Sequence, residues 1–457
     1  MSSRRTWLLL ITVAVAGTSC VARTIPGPAL PPPQWSGVSS QCLALSGGGL
    51  RSGAVATGAL QELQAAGGLG RFSYISSVSG GGYPVYGLVD RLIKGNSNLD
   101  TLLAEGGAHI RRIDENAGFA GGIWSNIAVS PVKVLTWIIS SVSAVGSEQA
   151  NYSTDIHGTF AGPAGGVLRS PPLSKASGLR HYGMPALIFG ASAKFGKSPR
   201  SSDAPYSAGD YFELAADSSG SPNHGYYPQL ATKLDLSHVI AISGAAIDSP
   251  QGGLPDFLKS VNIGLGMRVS LDSPEGRRRV YLSDAGFVEN LGILPLLRRG
   301  CREVLAFDNS HDPDAKFEAW ANFVGKAAAE GWLLEKELSP QDGTADGVEA
   351  NAWLLPSHIW RGSLRRGSSA VAVKLVKLGI DSSKLVDYPE TVRDFARKSW
   401  ALRPDSTCRG SGIARRCWFP QETTVRQNYS TKELRAYRHL GRCLARRAVR
   451  SATSCAF

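Results

Sequence analysis

The chain has 457 residues, 43% of them hydrophobic and 19% charged, which supplies a sizeable core and excludes wholesale disorder. Its 52 Gly follow no three-residue period, so a collagen-like rod is excluded, and the absence of an internal repeat argues against a solenoid or propeller. The formal charge is +12, but residues 391–457 alone hold 15 Lys/Arg against 4 Asp/Glu, so the first 390 residues are nearly neutral.

In chain order, Arg4 and Arg5 precede the apolar run Trp7–Gly17. A charged n-region followed by an apolar stretch too short to span a bilayer reads as a secretory signal. The string Gly17-Thr18-Ser19-Cys20 resembles the lipobox of bacterial lipoproteins, with Gly17 where that box usually carries an aliphatic residue. The expectation is an exported, membrane-anchored chain lipidated at Cys20. Ordinary cleavage near Ala16 or Ala22, giving a secreted chain, is the alternative. Residues 21–40 hold five Pro and read as an extended tether. Export permits disulfides. Cys408 and Cys417 are placed to pair, while the partners of Cys42, Cys301, Cys443 and Cys455 are left open by spacing alone. Neither C-x-x-C nor a Cys/His cluster of zinc spacing occurs, so neither metal nor cofactor is expected.

From residue 41 the pattern is α/β. Gln41–Ser46 is a short apolar run ending in Gly47-Gly48-Gly49. A helical pattern follows from Leu50 to about Ala66, stopped by Gly67-Gly68. Phe72–Val78 is β-rich and ends at Ser79-Gly80-Gly81-Gly82, with a second helix through Val85–Ile93. Strand, glycine turn and helix, taken twice, make a parallel βαβα unit. Further strands are expected at Ala186–Gly190, Val239–Ile242, Val261–Val269, Val280–Leu282 and Glu303–Phe307. Residues 100–180 and 192–235 read as insertions over the sheet. Beyond about residue 312 the pattern predicts helix over Ala315–Leu338, a strand over Ala370–Leu378 and a basic helix over Lys432–Arg450. The organisation expected is a signal segment (1–20), a tether (21–40), a catalytic core (41–310) and a C-terminal extension packed on it (311–457).

Three constellations carry chemistry. Ser46-Gly47-Gly48-Gly49-Leu50-Arg51-Ser52-Gly53 lies at a strand-to-helix junction, where consecutive glycines let amide groups converge on a phosphate or an oxyanion. It matches neither a P-loop nor a dinucleotide fingerprint. Ser77-Val78-Ser79-Gly80-Gly81 resembles a nucleophile elbow, with Ser79 as the nucleophile and Ser77 in place of the first glycine. Ser243, in Ile242-Ser243-Gly244-Ala245-Ala246, and Ser192 are rivals for that role. Val280–Gly286 puts Asp284 at a strand end, positioned to reach a site above the sheet; a helix cap or turn is the plainer reading. His311, His358 and His439 follow, none in a setting that marks it as catalytic.

The strings SGGGLRSG (46–53), YISSVSGGG (74–82), AISGAA (241–246) and LSDAGFVENLGILPLLRRGCREVLAFDNS (282–310), in this order, resemble the patatin-like phospholipase family. The resemblance continues into WFPQETTVRQNYSTKELRAYRHLG (418–441), which looks like the end of large bacterial members. The triple-glycine block with its Arg is also similar to cytosolic phospholipases of the A class. The family implies a three-layer α/β/α fold with a mainly parallel sheet and a Ser–Asp dyad without His. It departs here at Ser77 and at Ala285, where the family usually has Gly. Carried onto this chain, the resemblance implies acyl-ester hydrolysis of phospholipid or lysophospholipid. Ser79 and Asp284 form the dyad, Gly47, Gly48, Gly49 and Gly80 the oxyanion hole, and Arg51 holds the anionic head group. An inactive member that binds lipid or a protein partner is the second hypothesis.

Two segments remain. Val132–Val145 is apolar but too short to span a membrane; it reads as an acyl-pocket wall or interfacial lid, or as core. The basic C-terminal segment reads as a surface for an anionic membrane or as a solvated face. It lacks a base-reading motif, so nucleic acid is not expected.

Overall fold

The computed structural model describes residues 23–25, 39–95, 97–115, 156–158, 160–162, 170–195, 209–245, 266–273, 276–341, 358–401, 408–409, 416–423, 429–450 and 455. Cys20, tether residues 21–22 and 26–38, and Val132–Val145 lie outside them.

The strands are β1 (Arg23–Ile25), β2 (Ser39–Leu45), β3 (Tyr74–Ser77), β4 (Ala186–Phe195), β5 (Asp210–Ala215), β6 (Gly220–Ser221), β7 (Gly225–Tyr226), β8 (Met267–Ser273), β9 (Gly276–Asp284), β10 (Cys301–Asp308), β11 (Leu333–Pro340), β12 (Ile359–Arg366) and β13 (Ser369–Lys377). They form one sheet in the order β1-β8-β9-β4-β3-β2-β10-β13-β12-β11, with β5 beside β4 and β6 and β7 beyond it. The five central strands β4-β3-β2-β10-β13 run parallel; antiparallel strands flank them. The main helices are α1 (Gly49–Ala65), α2 (Tyr83–Lys94), α3 (Leu236–Ser243), α4 (Leu294–Arg298), α5 (Glu318–Ala329), α6 (Glu390–Ala401) and α7 (Thr431–Arg450).

Alternation along β2 shows the three layers. Leu43 and Leu45 join the core that contains Val55, Leu60, Tyr86 and Leu440, so they face α1, α2 and α7. Cys42 and Ala44 join the core of Leu296, Phe323 and Trp320, facing α4 and α5. A strand covered on both faces needs a continuous apolar run rather than an alternating one, as β2 has. The parallel unit β2–α1–β3–α2 matches the expected βαβα unit, and α1 stops before Gly67 and Gly68, whose φ angles are 122° and 85°.

Three expectations are corrected. Val239–Ile242 lies inside α3, not in a strand; a short apolar run buried on every side fits either structure, and periodicity does not separate them. The helix expected over Ala315–Leu338 spans only Glu318–Ala329. Gly331, at φ 83°, reverses the chain, and Leu333–Pro340 becomes the edge strand β11. Residues 192–235 contribute β5, β6 and β7 to the sheet rather than lying wholly over it. The sheet also continues past residue 310 through β13, β12 and β11.

Cys408 pairs with Cys417, Cys42 with Cys301 and Cys443 with Cys455. The Cys42–Cys301 bridge joins the adjacent parallel strands β2 and β10 across a sequence separation of 259 residues. Cross-links closing loops this long constrain the unfolded chain most, and their loss typically costs about 2–4 kcal/mol. Replacing both Cys42 and Cys301 by Ala is expected to lower the unfolding free energy by at least about that much, measured by urea denaturation without reductant. An unchanged midpoint would contradict this.

α7 packs along α1 with the backbones in close approach. A Cβ built on Gly58 would lie 1.8 Å from the Arg438 carbonyl oxygen, and one on Gly441 2.0 Å from that of Val55. Two glycines, one per helix, thus open the seam. Arg438 is fully buried there and donates to Glu105, Asp114 and Gln61. Arg442, Arg446 and Arg450 all reach the buried Glu62, and Arg447 donates to the Tyr388 hydroxyl. The basic helix is therefore turned largely onto acidic groups of the core. Arginines expected to face an anionic membrane surface are thus engaged by a carboxylate of the core.

Candidate active site

The glycine loop joins β2 to α1. Gly48 and Gly49 have φ angles of 149° and 63°. A Cβ on Gly48 would fall 2.7 Å from the Asn309 carbonyl oxygen, and one on Gly47 2.3 Å from Asn290 Oδ1, so backbone and side chain press against the loop from both sides. Hydroxyl groups fix its course. Ser46 Oγ accepts from the Asn309 amide at 2.7 Å, Ser52 Oγ donates to the Ser46 carbonyl at 2.6 Å, and Asn309 Nδ2 donates to Ser52 Oγ at 3.2 Å. Behind Asn309, Lys377 Nζ lies 2.6 Å from Asp308 and 2.8 Å from Asp312. Lys377 and the Ser310 hydroxyl hold the buried Asp308 carboxyl below its usual range despite its desolvation.

The Gly47 amide is already used: it donates to the Asn290 carbonyl at 3.1 Å. This removes Gly47 from the expected oxyanion donors and makes it a spacer. A Cβ there would sit 3.2 Å from Ser79 Cβ. Gly48, Gly49 and Gly80 remain candidates.

Ser79 follows β3 and opens a 3₁₀ turn, Ser79–Gly82, that leads into α2. Its φ is +50°, a strained value for a non-glycine residue and one common at functional turns. The turn is pressed onto the glycine loop: a Cβ on Gly80 would fall 2.0 Å from the Gly49 carbonyl oxygen, and one on Gly81 2.5 Å from that of Leu45. Ser77, where an elbow usually has glycine, is the last residue of β3, in register with Leu45 and Phe189. It sits inside the strand, so the sharp bend does not need glycine there. The rival Ser243 is fully buried at the end of α3, and its hydroxyl accepts the Ser79 amide at 3.0 Å. Ser192 lies within β4.

Asp284 ends β9 and is 3% exposed. Its Oδ1 accepts from the Gly286 amide at 2.7 Å. A Cβ on Gly286 would lie 3.1 Å from Asp284 Oδ1 and 3.0 Å from Asn290 Oδ1. The Asn290 carboxamide thus stands next to Gly47, which adjoins Ser79, and next to Gly286, which adjoins Asp284. Ala285, in place of the usual glycine, is fully buried, its methyl 3.0 Å from where a Cβ on Gly190 would lie.

Arg51 does not face a site mouth. It is fully buried in α1 and donates to the carbonyl oxygens of Asn309 and Glu422, and burial pushes its pKa down. This corrects its expected role on a substrate head group: its guanidinium ties the glycine loop's helix to the chain after β10 and to the C-terminal segment.

Sequence reasoning missed Asn290, Asn309 and Glu289. All three lie within the quoted string 282–310 but carry no pattern of their own. Glu289 is fully buried, and its carboxylate accepts amides from Leu291, Gly292 and Leu294 at the start of α4. Burial nevertheless raises its pKa to about 7, the backbone donors opposing the shift only in part. A carboxyl raised above its unfolded value of about 4.3 contributes stability that is complete below that pH and is lost as pH rises through about 7. Glu289→Gln should therefore gain stability relative to the native chain between about pH 4 and 8, by on the order of 3 kcal/mol. Paired urea titrations across that range check this; a pH-independent difference would refute it.

No family model matches the sequence, and no curated protein matches it. Among solved structures, human GIVD cytosolic phospholipase A2 aligns over 91% of this chain and 61% of its own, with a TM-score of 0.55 and 16% identity. The same protein in complex with the inhibitor methyl gamma-linolenyl fluorophosphonate and terbium chloride aligns with a TM-score of 0.53 and 15% identity, over 91% of this chain and 59% of its own. With the inhibitor alone the TM-score is 0.53 at 14% identity. This chain spans about three fifths of that protein's length. At such identities the likeness is one of architecture: the chain has the three-layer α/β/α fold of the patatin and cytosolic phospholipase A2 type, with a largely parallel centre to its mixed sheet.

Proposed function

We propose that this chain is a serine acyl hydrolase of the phospholipase A or lysophospholipase type, with Ser79 as nucleophile and Asp284 as its base. The observation that carries the reading is Ser79 itself: a non-glycine residue at φ +50°, on a strand-to-helix turn, with a triple-glycine loop against its Cβ. The Ser79 hydroxyl attacks the ester carbonyl carbon. As the Oγ–C bond forms, its proton passes to the Asp284 carboxylate. The amides of Gly48, Gly49 and Gly80 donate to the oxyanion, a contribution of about 3 kcal/mol per donor in acyl-transfer enzymes. Collapse expels the alcohol, which takes the proton from Asp284. Water then attacks the acyl carbon and gives a proton to Asp284; as the Oγ–C bond breaks, Ser79 Oγ takes that proton back and the fatty acid leaves.

A lipid ester is supported by the fold neighbour, which has been determined with the inhibitor methyl gamma-linolenyl fluorophosphonate. The experiment is labelling with an alkyl fluorophosphonate, followed by peptide mapping, beside assays on a soluble ester, a phospholipid and a lysophospholipid. The reading expects an adduct on Ser79 and turnover of at least one lipid. Neither adduct nor turnover would instead favour an inactive lipid- or partner-binding member of the fold.

Export and anchoring through Cys20 belong to the same proposal. Three disulfides among the described residues support an oxidising compartment. Membrane contact then rests on the lipid at Cys20 rather than on the arginines of α7. Cys20→Ser is expected to move the protein from the membrane to the soluble fraction. Unchanged fractionation, or a mature N-terminus other than Cys20, would contradict it.

A further inference from the structure

The end of α3 bonds to Ser79 and to Ser283, the residue before Asp284. Ser243 Oγ accepts the Ser79 amide at 3.0 Å. Two residues on, the Ala245 carbonyl accepts the Ser283 hydroxyl at 3.1 Å, and Ser283 is the neighbour of Asp284 in β9. Ser243 and Ala245 are fully buried and Ser283 is 6% exposed, so neither bond competes with bulk water. The helix end between them is held by amides of its own: Gly244 donates to the Ile240 carbonyl at 3.0 Å and Ala245 to that of Ile242 at 3.2 Å. We propose that Ser243–Ala245 is a positioning bridge, a rigid three-residue span that sets the distance between the nucleophile turn and the aspartate strand. Ser243 and Ser283 are its two positioning residues. The proposal rests on the assignment of Ser79 and Asp284.

Ser79 is held at a φ of +50°, which its own side chain disfavours, so the turn keeps that conformation only while its surroundings enforce it. The Ser243 hydroxyl supplies one such restraint at the amide next to the strained torsion. Without it a buried N–H loses its partner and the turn is free to relax. The same bond occupies the Ser79 amide, which leaves oxyanion donation to Gly48, Gly49 and Gly80. At the other end, the Ser283 bond holds the end of β9 beside Asp284. Misplacing a reacting group by about 1 Å can cost about 100-fold in rate without altering substrate affinity. A reaction that needs Oγ and a carboxylate in register is therefore sensitive to both serines, though neither touches substrate.

The test is kcat and KM on a soluble ester for Ser79→Ala, Ser243→Ala, Ser283→Ala, the Ser243/Ser283 double variant, and the hydroxyl-retaining Ser243→Thr and Ser283→Thr, with active sites counted by fluorophosphonate titration in every variant that keeps Ser79. Both single alanine variants are expected to lose about 10- to 100-fold in kcat per titrated site, with KM within about twofold. The threonine variants should recover most of the rate. The double variant should fall short of the product of the singles, because both act through one element. If Ser243→Ala does not fold, Ser243→Cys, which keeps a weak acceptor, and Ser283→Ala carry the same test. Wild-type kcat per titrated site in the alanine variants, beside a dead Ser79→Ala, would overturn the bridge and leave the enzyme assignment standing. An active Ser79→Ala beside a dead Ser243→Ala would overturn the assignment itself and make Ser243 the nucleophile.

Discussion

Ser79→Ala and Asp284→Asn are each expected to lower hydrolysis of a soluble ester by about four orders of magnitude, and the double variant to be little worse than either, since the pair acts as one unit. The substitutions are chosen to leave the fold in place. Alanine at position 79 keeps the turn's φ of +50° no more strained than serine does, and the Ser79 amide still meets Ser243 Oγ. Asparagine at 284 retains a side-chain oxygen for the Gly286 amide, which Asp284 Oδ1 accepts at 2.7 Å, but loses the charge that takes the proton. A soluble substrate keeps membrane binding out of the measurement. Undiminished turnover in Ser79→Ala would remove the nucleophile assignment. Full activity in Asp284→Asn would leave Ser79 without its proposed base.

The second large effect concerns the seam between α1 and α7, and here two physical arguments predict opposite signs. Gly58 and Gly441 lie in helix interiors, where exchange for alanine ordinarily gains about 1 kcal/mol. At this seam a Cβ on Gly58 would stand 1.8 Å from the Arg438 carbonyl oxygen, and one on Gly441 2.0 Å from that of Val55. Both obstacles are backbone, so no rotamer change relieves them, and the helices must move apart. Overpacking of a tight core costs about 1–3 kcal/mol and sometimes more, and separation would also pull Arg438 from Gln61 and Arg442 and Arg446 from Glu62. The clash outweighs the propensity gain. Gly58→Ala and Gly441→Ala are each expected to destabilise by about 3 kcal/mol or more, read from denaturant midpoints. Stabilisation by either would show that the seam is looser than this. Catalysis should suffer too, because α1 begins at the glycine loop. Reversing the charges at Arg442, Arg446 and Arg450 is likewise expected to undock α7 from Glu62 rather than to alter binding to anionic vesicles.

Local sequence sufficed for what local forces set. The run QCLALS, its three glycines and the helix closed by Gly67-Gly68 specify a strand, a turn and a helix within one stretch, because apolar runs and glycine torsions act over a few residues. The same holds for the Ser79 turn, for Asp284 at a strand end, and for a helix between Thr431 and Arg450. Tertiary structure decided what distant segments do to one another. Val239–Ile242 is a helix, but a short apolar run enclosed on all sides fits helix or strand and carries no period to say which. Ser243 supports Ser79 across 164 residues of chain. Arg51 was legible as a residue of the glycine loop, but its burial depends on the Asn309 and Glu422 carbonyls brought to it from beyond β10. The Arg-rich helix carries an obvious charge in the sequence, yet what it meets is Glu62, Glu105 and Asp114, more than 300 residues earlier. A charge pattern states what a face can pair with; only the packed fold determines which partner lies opposite it.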